Sequence, residues 1–334
     1  MSDNCKMVSV IIPVLNEEKY ISELIRSLAG QDYPHEFIEW LFVDGGSCDD
    51  TIGLIKEDLN RYGLIGCVLN NENKTAPYAF NIGVENSKGD IIIRMDAHAE
   101  FPENYISRCV YYLETTDAWN VGGYCITKGR GSVGECIAQV QSSKFGVGNS
   151  TFRVSQETAY VDTVPFGAFH RELFDKIGLF DTSLPRSEDN EFNYRIRKNG
   201  GKVLMAGDIY CTYYCRDKVS SFAQMSFANG NAVGYTKLCH PGVMGIKYLI
   251  PFAFDLSIIG ALLSLFSKKF KMFRPLFALE FIVYSILDIA ESFRSKLRLP
   301  QKVLTTLLFP IFHISYGAGT FKGLVKGLKT KITK

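Results

Sequence analysis

None of the nine cysteines in this 334-residue chain forms a CxxC pair, and there are only two tryptophans and five histidines. Cys211 and Cys215 are the only close pair, and no histidine pair follows them, so a structural zinc site is not expected. No G-x-G-x-x-G follows the first apolar run, which counts against a dinucleotide-binding protein. No segment repeats at a fixed period, so a solenoid or propeller is not expected. The opening residues, MSDNCKMVSVIIPVLNEE, lack a charged n-region, a long apolar run and a small-residue cleavage site. A secretory signal is therefore not expected, and the thiols are expected to be reduced and cytosolic.

Hydrophobic residues make up 46% of the chain and charged residues 22%, which permits a buried core and excludes wholesale disorder. The net charge of +2 hides a strong asymmetry. Residues 268–334 carry 13 Lys/Arg against three acids, Glu280, Asp288 and Glu291, while the preceding 267 residues carry 24 against 32. A nucleic-acid binder would carry its basic patch on the folded domain, so no nucleic-acid partner is expected. An acidic body with a basic, apolar tail reads as a head with a membrane-facing end.

From residue 8 to about 127, short apolar runs alternate with amphipathic stretches. VSVIIPV (8–14) predicts a buried strand and 17–29 a helix. The run 38–43 predicts a second strand ending at Asp44-Gly45-Gly46, and Asp49, Asp50 and Thr51 can cap a helix through Leu59. Residues 65–69 predict a third strand, 75–86 a helix, 91–95 a fourth strand, and Pro102 the approach to the next helix. This alternation predicts an α/β fold with βαβ units and a mostly parallel sheet flanked by helices. Such sheets bind ligands at the carboxyl ends of their strands, where Asp44 and Asp96 fall. The Gly/Ser-rich stretch 128–160, with one helical patch at 133–144, reads as an excursion over the site. Beyond it, a strand is predicted near 161–169, helices at 172–177 and 187–199, and short strands through Cys215.

After Pro241 the composition changes. Residues 243–267 form an apolar stretch of membrane-spanning length, interrupted by Lys247 and Asp255; 275–290 and 303–318 are shorter and contain Glu280, Asp288 and His313. Both connectors, KKFKMFR and RSKLRLPQK, are basic. If all three stretches crossed, the connectors would lie on opposite sides, against the positive-inside tendency, so at least part of the tail is expected to lie in the interface or re-enter it. The reading is an α/β domain over 1–240 and a membrane-associated helical region over 241–334.

The residues with most chemical content are carboxylates. Asp44 ends the second strand in VDGGSCDDT, Asp96 ends the fourth in IRMDAHAE, and Glu188-Asp189 opens a helix in RSEDNEF. Singly, each has a plainer account as a loop acid or helix cap. Together with SVIIPVLNEE (9–18), NKTAPYAFNIGVENSKGD (73–90), PFGAFHRELFDKIGLFD (165–181) and FPIFHISYGAGTFKGL (309–324), the sequence resembles the inverting family 2 glycosyltransferases of GT-A fold. The similarity is to the succinoglycan-type enzymes of bacterial polysaccharide assembly.

The resemblance implies a UDP-sugar donor, a lipid-linked or glycan acceptor hydroxyl, and a divalent cation, Mn²⁺ or Mg²⁺. It implies that Pro13, Asn16 and Glu17 border the base, that Asp44 and Asp50 line the base and ribose pocket, and that Lys74 and Asn81 run under the sugar and phosphates. For Asp50, helix capping is an equally good account. Asp96-Ala97-His98 stands where the family has DxD, so Asp96 and His98 would share the cation with the diphosphate. Imidazole in place of the second carboxylate tilts the set toward Mn²⁺. Asp189 would be the general base and Glu188 would help to orient or bind the acceptor. Their plainer account is an acidic first turn, favourable with the helix dipole.

One departure concerns QxxRW, which processive members carry. Here FAQMSFANGNAVGYT (222–236) has Gln224 but no Arg or Trp after it, so polymer extrusion is not expected. Arg186 and Lys237 are candidates for the missing cation. The resemblance also implies a cytoplasmic catalytic domain at a bacterial inner membrane. Two other readings are a polyprenyl-phosphate glycosyltransferase, which needs no general base, and a non-catalytic membrane adaptor that keeps the fold.

Overall fold

The computed structural model describes residues 5–148 and 150–333. The chain divides into two compact units, Met1–Ile126 with Ser155–Tyr213, and Thr127–Val154 with Tyr214–Lys334.

The first unit is built on four parallel strands, β1 (Val8–Val14), β2 (Ile38–Asp44), β3 (Gly66–Asn70) and β4 (Ile91–Arg94), in the order β3-β2-β1-β4. α1 (Ile21–Ala29), α2 (Thr51–Tyr62) and α3 (Ala76–Asn86) connect them. In α1 the buried side chains are Ile21, Leu24, Ile25 and Leu28, the i, i+3, i+4, i+7 stripe of a helix laid on a core. β1 is buried along almost its whole length, as a strand covered on both faces must be. Strand order reverses between β1 and β4, which opens a crevice at their carboxyl ends.

The sheet is mixed rather than mostly parallel. After β5 (Ala99–Glu100), α4 (Tyr105–Thr115) leads to β6 (Ala118–Lys128). Later come β7 (Ala159–Tyr160), β8 (Ala168–His170), α8 (Glu172–Ile177), α9 (Glu188–Lys198) and β9 (Lys202–Tyr214). β8 runs antiparallel to both β4 and β6, and β9 antiparallel to β5 and β7. β6 carries Gly122 and Gly123 in its centre, which dilutes its strand signal. A Cβ on Gly123 would collide with the carbonyl of Ile209, so the bare backbone is what lets the strands approach. The segment expected as short strands through Cys215 is the single long β9.

The predicted helix at 17–29 begins only at Ile21. The preceding backbone donors are spent elsewhere: Asn16 N–H donates to Ser47 Oγ (2.9 Å), Glu17 N–H to Thr51 Oγ1 (2.8 Å) and Glu18 N–H to Asp49 Oδ2 (3.3 Å). The loops after β1 and β2 are thereby laced together.

The second unit is helical: α5 (Gly131–Ser142), α6 (Lys144–Val147), α7 (Thr151–Val154), α10 (Val219–Cys239), α11 (Ile250–Phe266), α12 (Arg274–Arg294) and α13 (Leu299–Thr333). α10 and α13 touch backbone to backbone. A Cβ on Gly230 would collide with the carbonyl of Tyr316, one on Gly319 with that of Phe227, and one on Gly323 with that of Asn231. α5 and α6 also belong here: Gln301 Nε2 on α13 donates to Glu135 Oε2 on α5 (2.5 Å), and His313 Nε2 lies 3.0 Å from the Phe145 carbonyl on α6.

Residues 127–154, within the stretch expected as an excursion, group with the helices of the second unit, as does α10, which is clamped to α13. The compact units part between Tyr213 and Tyr214, whereas the sequence places a boundary after residue 240.

Among the described residues, two helices are long and apolar enough to cross a membrane: Ile246–Phe266, of mean hydropathy 2.1, and α13, of mean hydropathy 1.2. α12 lies between them and exposes Leu276, Leu279, Val283, Ile286 and Phe293. Two of its three acids meet hydroxyls: Glu280 accepts from Ser257 Oγ (2.8 Å), and buried Asp288 accepts from Ser292 Oγ (3.3 Å).

Candidate active site

A cavity of about 300 Å³ lies at the carboxyl ends of the parallel strands, entirely within the first unit. Pro13 and Val14 from the end of β1, with Glu17 from the loop after it, form one wall. Val43 and Gly45 at the end of β2, and Asn71 and Lys74 after β3, form the next. Arg94, Asp96 and His98 come from the end of β4, and Arg186 from the segment before α9. Three of the four non-glycine residues described with positive φ adjoin this site: Asn16 (+56°), Lys74 (+60°) and Ser187 (+69°). Each such residue costs about 1–3 kcal/mol, and such strain concentrates where side chains must be aimed.

Of the residues singled out in the sequence, Pro13, Glu17, Lys74, Asp96 and His98 line the cavity together. His98 Nδ1 lies 3.3 Å from Glu17 Oε1, and its ring meets Tyr213 edge-on at 5.0 Å between centroids. Asp96 Oδ1 faces Arg94 Nε at 3.3 Å.

Four others have local duties. Asn16 Oδ1 accepts from Cys48 N–H (2.9 Å), which ties the β1 loop to the β2 loop. Asp44 is buried beside the lining residues Val43 and Gly45, and its carboxylate accepts from Gly46 N–H (3.0 Å), Ser47 N–H (3.1 Å) and Ser47 Oγ (2.6 Å). It shapes its own loop. Asp50 is exposed at the N-cap position of α2, where its side chain makes no capping hydrogen bond, and it is not among the lining residues. Asn81 is turned away from the cavity to the segment after α8: its Nδ2 donates to the Phe180 carbonyl (2.9 Å) and its Oδ1 accepts from Phe180 N–H (3.0 Å).

The acidic pair opens α9 after left-handed Ser187. Glu188 is buried and accepts from Arg94 Nη1 (2.9 Å). Asp189 accepts from Asn190 N–H (2.8 Å) and Asn190 Nδ2 (3.1 Å). Burial pushes both carboxyls above the ordinary range, and the Arg94 charge opposes the rise. For Arg94 the balance runs the other way. Burial would lower its pKa, but Asp96, Glu188 and Asp189 together raise it, so the guanidinium stays charged.

Arg94 is the residue the sequence reading passed over. Its signal was present, since it lies two positions before Asp96 at the end of an Ile-Ile-Ile run, and alternate residues on a strand share a face. Of the two candidate cations, Arg186 lines the cavity, whereas Lys237 belongs to the helical unit and donates to the Met244 carbonyl (2.8 Å).

Among the described residues no three His, Cys, Asp or Glu side chains gather as a metal cluster. The two residues expected to share a cation, Asp96 and His98, both line the cavity. One carboxylate and one imidazole in a shared cavity fit an ion that takes its remaining ligands from a bound diphosphate.

A family model described as Glycosyl transferase family 2 matches residues 9–178. Over 332 residues, 97% of this chain and 98% of the relative, the sequence is 30% identical to the dolichyl N-acetyl-alpha-D-glucosaminyl phosphate 3-beta-D-2,3-diacetamido-2,3-dideoxy-beta-D-glucuronosyltransferase of Methanococcus voltae. It is 26% identical over 318 residues to succinoglycan biosynthesis protein ExoA of Rhizobium meliloti (strain 1021), covering 95% of this chain and 94% of that protein. Among solved structures, the mannosyltransferase PcManGT from Pyrobaculum calidifontis, in complex with GDP-Man and Mn2+, matches with a TM-score of 0.59 at 18% identity. That match spans 98% of this chain and 89% of the other, and shows a shared GT-A-like α/β fold. With its matched domain and its near full-length relative, the chain belongs to glycosyl transferase family 2.

Proposed function

We propose that the protein is an inverting glycosyltransferase that moves a sugar from a UDP-sugar to a hydroxyl of a lipid-linked glycan at a membrane. The observation that carries this reading is the placing of carboxylates on either side of Arg94: Asp96 at the end of β4 and Glu188, with Asp189 next to it, at the start of α9. Inversion needs a donor held on one side of the anomeric carbon and a base on the other. Asp189, with its carboxyl raised by burial, suits the base, because a base must hold a proton once it has taken it. Pro13 and Glu17 would border the nucleotide, and the Asp44 loop would carry Gly45 against it. Lys74 and Arg186 would face the diphosphate, with Arg186 in the part of the missing QxxRW arginine. Asp96 and His98 would hold Mn²⁺ or Mg²⁺, which neutralises the charge on the departing nucleoside diphosphate.

The acceptor reading draws on the Methanococcus relative, whose name gives a dolichyl phosphate-linked N-acetylglucosamine as the group that receives a sugar. The apolar helices α11 and α13 and the exposed apolar face of α12 support membrane association. The excess of Lys/Arg in the tail supports a cytoplasmic position for the catalytic unit. The role in cell-surface polysaccharide biosynthesis rests on the likeness to the succinoglycan protein.

The test is a screen of UDP-sugars for UDP release by membranes containing the full chain, with the product linkage determined by NMR. One donor should be consumed, with inverted configuration in the product. A retained configuration, or transfer to a bare polyprenyl phosphate, overturns the reading.

A further inference from the structure

Arg94 ends β4 at the floor of the cavity, and its guanidinium fork reaches in two directions. Nε lies 3.3 Å from Asp96 Oδ1 and Nη1 lies 2.9 Å from Glu188 Oε1, a residue 94 positions further along the chain. The Arg94 side chain is 14% exposed and that of Glu188 8%, so solvent can stand in for neither partner. A carboxylate buried this deeply is held where its counter-charge is. Glu188 is the first residue of α9 and Asp189 the second, preceded by Ser187 in the left-handed region at φ +69°. Where Arg94 holds Glu188 therefore decides how the first turn of α9 presents Asp189. Because the same fork also holds Asp96, the donor side and the acceptor side of the site share one guanidinium.

We propose that Arg94 is a positioning residue for transfer. It anchors the strained start of α9 through Glu188 so that Asp189 meets the acceptor hydroxyl, and its hold on Asp96 keeps that alignment in register with the donor. The proposal rests on the reading of Asp189 as general base. Lysine is no substitute in this role. Its ammonium is a point charge that can serve one carboxylate well, whereas the planar fork serves two along fixed directions.

The experiment measures UDP release by the full chain in membranes, with UDP affinity measured by calorimetry on the detergent-solubilised protein. Arg94→Lys should lower kcat about 10- to 100-fold, the usual cost of losing a residue that orients a functional group, and leave UDP affinity within about threefold. Glu188→Gln, which keeps the volume but removes the partner charge, should do the same. Combined with Glu188→Gln, Arg94→Lys should add less than about threefold, since both changes break one link. Turnover of Arg94→Lys within about threefold of wild type overturns the proposal, as does full additivity in the double variant. Loss of UDP affinity in step with kcat also overturns it, because Arg94 would then be a donor-binding group. If Arg94→Lys fails to fold, shown by its thermal unfolding, Glu188→Gln decides alone, and wild-type turnover there overturns the proposal. Asp189→Asn separates the two readings. An inactive Asp189→Asn beside an active Arg94→Lys removes the positioning role alone, and an active Asp189→Asn removes the base itself.

Discussion

Asn81 on α3 and the backbone of Phe180 exchange two hydrogen bonds, of 2.9 and 3.0 Å, across 99 residues of sequence. Phe180 in turn stacks on Phe80 at 4.4 Å between centroids and leans on Phe192 of α9 at 4.7 Å. The amide therefore pins the segment between α8 and α9 to α3. Asn81→Ala should cost about 1–3 kcal/mol, the penalty for leaving backbone groups unpaired, and leave UDP affinity unchanged. Chemical denaturation and calorimetry on the same variant check both halves. Weakened UDP binding with intact stability would return Asn81 to the donor site.

Asp189→Asn should reduce turnover by about 10²–10⁴-fold, the range for removal of a general base, with UDP affinity nearly intact. The pH dependence follows from the raised pKa. The base works only when deprotonated, so turnover falls as pH drops through a value above the ordinary 3.8. An acid limb in kcat at the position of an exposed aspartate, or none, would show that Asp189 is not the group being titrated.

Chelation should abolish transfer, and Mn²⁺ or Mg²⁺ should restore it. Asp96→Ala should lower transfer by on the order of 10²-fold or more, since a cation at a leaving group supplies several kcal/mol of stabilisation. The cation should also tighten UDP binding in wild type and not in Asp96→Ala, which calorimetry reads without any turnover. Undiminished transfer in excess EDTA would exclude the cation.

A chain cut after residue 242 should aggregate rather than yield a soluble catalytic unit. Without α13, α10 loses the partner on which Phe222 stacks, with Phe312 at 5.2 Å between centroids, and α5 loses Gln301. Gly323→Ala in the full chain probes the same contact by overpacking and should destabilise the helical unit by about 1–3 kcal/mol. Size-exclusion chromatography of the truncation and thermal unfolding of the glycine variant are the measurements. A monomeric, cooperatively folding 1–242 would show that α10 is stable alone.

By itself the sequence determined the parallel half of the sheet and the position of the site. Apolar runs such as 8–14 and the 3.6-residue stripe of α1 are local patterns, and a βαβ alternation leaves few arrangements open. The acids at the ends of β2 and β4 were legible for the same reason, because a strand end is visible in one dimension. What each acid touches was decided only by tertiary structure. Asp44 and Asp96 look alike in sequence, yet the first accepts from Gly46 and Ser47 while the second lines the cavity. The Arg94–Glu188 link and the Asn81–Phe180 clamp join residues too far apart for any spacing rule. The antiparallel half of the sheet depends on β8, three residues long, and on glycine-bearing β6, whose pairing comes from the strands beside them. The membership of α10 in the helical unit was equally hidden. It follows from glycines that meet carbonyls of α13, and a missing side chain leaves no mark in a hydrophobic pattern.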